Sequence, residues 1–296
     1  MSTISCPVCS QQNTSLFIKD LADITFKTTD EKFNLYNCNN CDAKFQFPFI
    51  PENIVGKYYP DSSYHPFQLS KPISIRSKYN PPSMYLERLI KTHKPDDTFS
   101  LIDVGCGGGT FLMSVKSYFP NAQLTGVDVS QIAINNLKSA GIEGICSSLY
   151  SFEANKKFDY ITSSQVLEHL NQPYAFINKI KELATNETII MIDVPASDSY
   201  SAKKYGRNWV HWDLPRHSIL YSAKTFNHLF NDFKTLELKH GGSIVAILSS
   251  HKISKEKNIY KQSLFEKFFL KLLSPIAKLL NLNFLFSDKL VWIGKL

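Results

Sequence analysis

The chain has 296 residues, 43% of them hydrophobic and 20% charged, which excludes a disordered polypeptide and leaves room for one large domain with a small appendage. No stretch approaches the roughly 20 apolar residues of a membrane span and no apolar signal core opens the sequence, so the expected location is the cytoplasm. A net charge of +7 permits an anionic partner without demanding one.

In chain order, the first feature is a pair of CxxC units, Cys6-Pro-Val-Cys9 and Cys38-Asn-Asn-Cys41, with 28 residues between them. Each short loop can place two thiolates on one ion, and together they supply the four sulfurs of a closed tetrahedral zinc site. In a cytosolic chain such pairs favour metal over disulfide. A redox pair or an iron–sulfur centre is the weaker alternative. Strand-like runs at 16–18 and 33–36 lie between the units, and residues 1–50 resemble a zinc ribbon, with Cys6, Cys9, Cys38 and Cys41 holding a structural zinc. Phe45, Phe47 and Phe49 could form a stacking platform or pack on the larger domain that follows. Residues 51–78, rich in Pro, Tyr and Ser, read as a connecting arm, and 79–93 carries apolar residues at helical spacing.

The strongest signal lies near residue 100. The apolar run 99–104 reads as a buried strand that breaks into Gly105-Cys-Gly107-Gly-Gly109, and a helix is expected over 110–119. Glycines here let the chain turn sharply and let a ligand lie against the backbone, and the helix offers unpaired N–H groups to it. A dinucleotide fingerprint would place its third glycine where Thr110 stands. Asp103-x-Gly105-x-Gly107-x-Gly109 instead resembles motif I of the class I S-adenosylmethionine methyltransferases. The likeness extends to a second strand, 123–128, ending on Asp128, and to a fourth, 158–163, leading to Gln165-Val-Leu-Glu168-His169. It implies that Asp103, Gly105, Gly107, Gly109, Asp128 and Gln165 contact S-adenosylmethionine, Asp128 through both ribose hydroxyls. The family's acidic contact to the adenine amino group is missing, since Cys146-Ser147-Ser148 stands after the third strand.

Strands at 99–104, 123–128, 142–147, 158–163, 187–194, 234–240 and 289–295 alternate with helices at 110–119, 130–140, 173–185 and 223–232. That alternation predicts a doubly wound α/β sheet. With the resemblance it becomes a seven-stranded Rossmann-like methyltransferase domain over 79–296, its last two strands an antiparallel hairpin at the sheet edge. Residues 197–221 come after the fifth strand as a long loop, the place for a substrate lid. Within it Trp209, His211 and Arg216 are candidate substrate contacts. Methyl transfer to an oxygen needs a base, for which histidine is the default. His169 and His217 are therefore the catalytic candidates, and they predict an ascending pH limb near about 6.5.

Residues 259–287 place Leu, Ile and Phe at 3–4 spacing opposite Lys267, Lys271 and Lys278. Such a stretch lies on a membrane surface or packs on the core, and the sequence leaves both open. The function expected overall is methylation of a small or lipid-linked acceptor, the saccharide class being implied by resemblance alone. An RNA methyltransferase is the competing enzyme, disfavoured because Lys and Arg are scattered. A non-catalytic ribbon module with a degenerate cofactor fold is the third reading, opposed by the intact acid–glycine set.

Overall fold

A computed structural model describes residues 4–59, 83–153, 156–241, 244–255 and 288–296. Most of the arm at 51–78 and the whole amphipathic segment at 259–287 lie outside the described residues. In chain order the elements are β1 (Thr14–Ala22), β2 (Lys32–Cys38), β3 (Lys44–Gln46), α1 (Glu52–Val55), α2 (Met84–Thr92), β4 (Ser100–Val104), α3 (Thr110–Tyr118) and β5 (Gln123–Asp128). Then come α4 (Gln131–Ser139), β6 (Glu143–Cys146), β7 (Tyr160–Ser164), α5 (Pro173–Leu183), β8 (Ile189–Pro195), α6 (Tyr200–Tyr205), β9 (Ile219–Leu220), α7 (Ala223–Leu229), β10 (Lys234–Gly241), α8 (Ile244–Ser254) and β11 (Lys289–Lys295).

Seven strands form one sheet in the order β10-β11-β8-β7-β4-β5-β6. Strands β8, β7, β4, β5 and β6 are mutually parallel, and β11 runs antiparallel to both β8 and β10. The doubly wound sheet expected from the alternation is thus present, and so is the Rossmann-like order with an edge hairpin that the resemblance implies. The chain enters at β4, moves out through β5 and β6, then returns to β7 on the other side. The order reverses between β4 and β7, and ligands of open α/β sheets bind at the carboxyl ends of the strands there. The central strands are apolar because helices cover both faces; Leu101, Ile102, Ile161, Ile190 and Ile192 are all fully buried.

Local signals set the helix starts. Ser130 accepts from Ala133 N–H to cap α4. Ser222 forms a reciprocal capping box with Thr225 at α7. Pro173 occupies the first turn of α5, where its missing N–H costs nothing.

The second sheet is where tertiary structure departs from the linear reading. Its order is β1-β2-β3-β9, so the ribbon strands are completed by a strand from the 197–221 segment. Lys44 and Phe45 pair with Leu220 and Ile219. The expected loop is instead built of α6, short 3-10 turns at Gly206–Asn208 and Val210–Trp212, and β9. Phe45 is fully buried, and Phe47 and Phe49 pack beside it on the cluster that includes Ile102 and Ile192. The platform reading of those three rings gives way to the packing one. Among the described residues, no helix is long and apolar enough to cross a membrane.

Candidate functional site

The glycine turn leaves β4 in the left-handed region: Gly105, Gly107 and Gly109 have φ of 74°, 49° and 76°. The two outer positions are also sterically closed. A Cβ on Gly105 would meet Val166 Cγ2 at 2.3 Å, and one on Gly109 would meet Leu137 Cδ2 at 2.4 Å. The turn therefore needs glycine both for its torsions and for the close approach of β7's exit and α4. Cys106 is buried beneath it, as a packing residue would be.

Asp128 ends β5 beside this turn. Gly107 N–H donates to Oδ2 and Ser130 N–H to Oδ1, each at 2.8 Å. One backbone donor on each oxygen leaves further lone pairs for a ligand's hydroxyls. Burial pushes the Asp128 carboxyl up, and the N–H groups of Ser130 and Gly107 pull it back down. Val129, the next residue, is 67% exposed and offers a bare apolar face at the mouth of the turn. It is not among the residues the motif singles out, although an apolar residue directly after a strand-terminal acid is a readable signal.

Asp103 lies inside β4 and accepts from Thr162 Oγ1 of β7 at 2.6 Å. Burial raises its carboxyl to about 7; the Thr162 hydrogen bond lowers it in part, while Asp128 and Asp193 raise it further. Asp193, on β8, is not singled out by the sequence either. It accepts from Tyr85 Oη at 2.7 Å, from Gln165 Nε2 at 3.0 Å and from Lys289 Nζ at 3.1 Å. Three elements distant in sequence thus meet on one carboxylate. Gln165 holds φ of 56° and spends its amide donor on Asp193.

On the other side of the exit from β7 stand Glu168, His169 and His217. One carboxylate oxygen and one nitrogen of each ring lie within 4.8 Å of one another. His217 reaches this place from the far end of the 197–221 segment. Ser218 N–H donates to Glu168 O at 2.7 Å and pins β9 to the turn. The two rings meet edge to face with centroids 4.7 Å apart. His169 Nδ1 lies 3.0 Å from Arg216 O and 3.0 Å from Tyr59 Oη. His217 Nδ1 lies 2.7 Å from His211 O. A carbonyl can only accept, so each Nδ1 carries the proton and each Nε2 keeps its lone pair.

Burial lowers the His169 imidazole and takes His217 to about 3, with the neighbouring His169 lowering it further against the pull of Asp213. Both rings are neutral at pH 7. The expectation of a limb near about 6.5 rests on an unperturbed imidazole, whereas burial lowers both rings below that value. Glu168 is fully buried, and burial holds its carboxyl well above the usual range.

Two of the three substrate contacts expected from 197–221, Arg216 and Trp209, are placed in the interior. Arg216 is fully buried rather than open to an acceptor. Its Nη2 donates to Asp23 at 2.5 Å and to Asp213 at 2.8 Å, its Nε to Asp213 at 3.1 Å, and its Nη1 to Asp23 at 3.1 Å and Tyr58 O at 2.8 Å. A guanidinium so committed cannot also clamp a phosphate. Trp209 is likewise fully buried, its indole N–H on Ser201 Oγ, so it offers no face for stacking. His211 is half-buried, with Nε2 at 3.2 Å from Asp288.

The four ribbon cysteines gather at the open end of the β1–β2 hairpin, where Thr14 pairs with Cys38. Sγ of Cys6 is 3.6 Å from that of Cys41, and Sγ of Cys9 is 3.4 Å from that of Cys38. All four sulfurs lie within 4.8 Å of one another, and Val8 N–H donates to Cys6 Sγ at 3.4 Å. Zinc with bonds of about 2.3 Å to sulfur spaces its ligands by about 3.8 Å. The set is compatible with structural zinc and leaves no open position for chemistry.

Residues 74–234, more than half of the chain, match the family model of a methyltransferase domain. Among curated relatives, the ubiquinone biosynthesis O-methyltransferase of Pseudoalteromonas translucida (strain TAC 125) is 31% identical over 91 residues, covering 28% of this chain and 38% of that protein. The (S)-tetrahydroprotoberberine N-methyltransferase of Eschscholzia californica is 22% identical over 104 residues, covering 33% of this chain and 30% of its own. The chain thus spans roughly a third of the length of these relatives. A solved structure of coclaurine N-methyltransferase bound to N-methylheliamine and SAH superposes with a TM-score of 0.50 at 15% identity, covering 72% of this chain and 70% of that one. The likeness is one of fold.

Proposed function

The chain belongs to the methyltransferase domain family that its residues 74–234 match, and from that membership we propose that it transfers the methyl group of S-adenosylmethionine to a small or lipid-linked acceptor. The observation that carries this reading is the joint geometry of the glycine turn and Asp128: three left-handed glycines beside a carboxylate whose two oxygens are each aimed by a backbone N–H. Gly105, Gly107 and Gly109 would let the methionine part lie on the backbone. Asp128 would hold the ribose, Val129 would cover the base, and Asp103 would face the cationic part. When bound, S-adenosylmethionine supplies a sulfonium methyl and a neutral thioether leaving group. The chain's own work is then positioning and water exclusion.

His169 and His217 stay the proposed acceptor-side residues, as neutral rings with Nε2 lone pairs rather than as titrating bases near pH 7. The names of the relatives, O- and N-methyltransferases of small molecules, support a small acceptor. The burial of Arg216 in ion pairs removes the clearest phosphate contact and weighs against RNA. A saccharide-related acceptor remains a proposal from resemblance, since Trp209 cannot stack on a sugar where it lies. Residues 1–50 as a zinc ribbon, 51–78 as an arm and 79–296 as the catalytic domain complete the reading, with β9 lent by the domain to the ribbon sheet.

Calorimetric titration of the full chain with S-adenosylmethionine tests it. Asp128→Ala should weaken binding by about 3–6 kcal/mol, since two hydrogen bonds to a charged group are lost and each is worth about 1.5–3 kcal/mol. Failure of the wild type to bind would end the reading, and unchanged affinity in the variant would remove Asp128 from the site. Transfer of tritium from the labelled methyl group into fractionated metabolites, lipid extracts and RNA would then sort the acceptor.

A further inference from the structure

We infer that Glu168, His169 and His217 form a second, open metal site for a divalent cation of the zinc or manganese class. Three independent features point there. The first is the donor set: two imidazole nitrogens and one carboxylate oxygen within 4.8 Å of one another. Bonds of about 2.0–2.2 Å to such ligands would draw them together with small side-chain rotations. The second is Glu168 itself. Its side chain is fully buried, and neither Oε1 nor Oε2 is hydrogen-bonded to another of the described residues. Buried carboxylates are ordinarily hydrogen-bonded, paired or bound to metal. The third is the outer support. Each histidine donates Nδ1–H to a backbone carbonyl, His169 to Arg216 O at 3.0 Å and His217 to His211 O at 2.7 Å. That arrangement orients a ligating ring and leaves Nε2 for the ion.

The chemistry of the set selects the cation. Nitrogen and oxygen donors without thiolate suit zinc, manganese or iron(II), and two histidines with one carboxylate leave coordination positions open. This distinguishes the site from the closed four-sulfur cluster in the ribbon. His169 is only half-buried, which gives the ion a route in. Glu168 and His169 come directly after β7, on the same carboxyl edge as Asp103 and Asp128, and His217 is brought to them from the segment ahead of β9. A cation there would present its open positions to an oxygen of the acceptor, a role that rests on the methyl-transfer reading; the binding of the cation does not.

Manganese separates the two metal sites, because it prefers nitrogen and oxygen donors to thiolate. The full chain, with its cysteine site filled with zinc, is titrated with Mn²⁺ while free Mn²⁺ is followed by electron paramagnetic resonance. A parallel titration adds Zn²⁺ and counts bound metal by elemental analysis. One saturable Mn²⁺, or one zinc beyond the cysteine-held ion, is expected per chain. Glu168→Gln and His217→Gln should each weaken it at least about tenfold, with the cysteine-held zinc retained. If either variant fails to fold, His169→Gln, on the half-buried ring, carries the same expectation. No saturable ion of either kind in the wild type, or equal affinity in the folded variants, overturns the site. Calorimetry with S-adenosylmethionine on the same samples keeps the two readings apart. A chain that binds the cofactor but no cation refutes the metal site alone. A chain that binds the cation but no cofactor refutes the methyl-transfer reading alone.

Discussion

Replacing Arg216 by Met should cost the fold about 3–5 kcal/mol, because it strands two buried carboxylates. Arg216 is fully buried and joins three segments: Asp23 in the ribbon, Tyr58 O at the start of the arm and Asp213 ahead of β9. Burial alone would raise the Asp23 carboxyl; the hydrogen bonds and charge of Arg216, with Thr28, overcome it and hold the group at about 2. Against the unfolded value of 3.8 that difference is worth about 2 kcal/mol from Asp23 alone. Asp213 is also buried, which alone would raise its carboxyl; His217 and the hydrogen bonds and charge of Arg216 overcome this and hold it below its usual range. The pH dependence has a definite sign. Between about pH 4 and pH 2 the unfolded chain takes up a proton at Asp23 that the folded chain refuses. This contribution is present above that window and lost as pH falls through it. Urea unfolding at pH 7, repeated down to the acid limit, reads both effects. The Met variant should be destabilised at pH 7 and should lose less of its remaining stability on acidification. Arg216→Met combined with Asp23→Asn and Asp213→Asn should recover part of the loss, since neutral amides tolerate burial better than unpaired charges. A single variant within about 0.5 kcal/mol of wild type would show that the guanidinium does not tie the ribbon to the catalytic domain.

Cys38→Ser should release one zinc per chain and loosen the ribbon strands while cofactor binding persists; elemental analysis showing no zinc in the wild type would refute the four-sulfur assignment. Affinity for S-adenosylmethionine should rise between pH 6 and pH 8, because burial places the Asp103 carboxyl at about 7 and a bound cation favours its ionised form. Calorimetry in buffers of different ionisation enthalpy should show proton release, and a flat profile would take Asp103 out of contact with the cofactor's charges. Gly105→Ala combines a positive φ with a Cβ 2.3 Å from Val166 Cγ2, so a loss of about 2–4 kcal/mol in stability is expected together with weaker cofactor binding. Full stability with full binding would mean that the turn relaxes without cost.

The features legible in the linear chain are local in origin. Strand and helix positions from 99 onward come from apolar periodicity and caps, which act over a few residues; β5 at Gln123–Asp128 and β11 at Lys289–Lys295 match their expected bounds. The acid–glycine motif was legible for the same reason, since a turn that needs left-handed torsions admits little but glycine. The paired cysteines were legible because short loops dictate shared ligation. Pairing across long stretches of chain, by contrast, emerges only in the folded molecule. Nothing near residue 219 announces that β9 will complete the ribbon sheet, or near Arg216 that its partner is Asp23. Burial is set by neighbours distant in sequence, and burial is what turned Arg216 and Trp209 from substrate contacts into structural ones. It also made His169 and His217 neutral rings at pH 7 and left the Glu168 carboxyl beside them without a bond to another described residue, because the free energy of an ionisable group depends on the solvent and charges around it and not on its place in the chain.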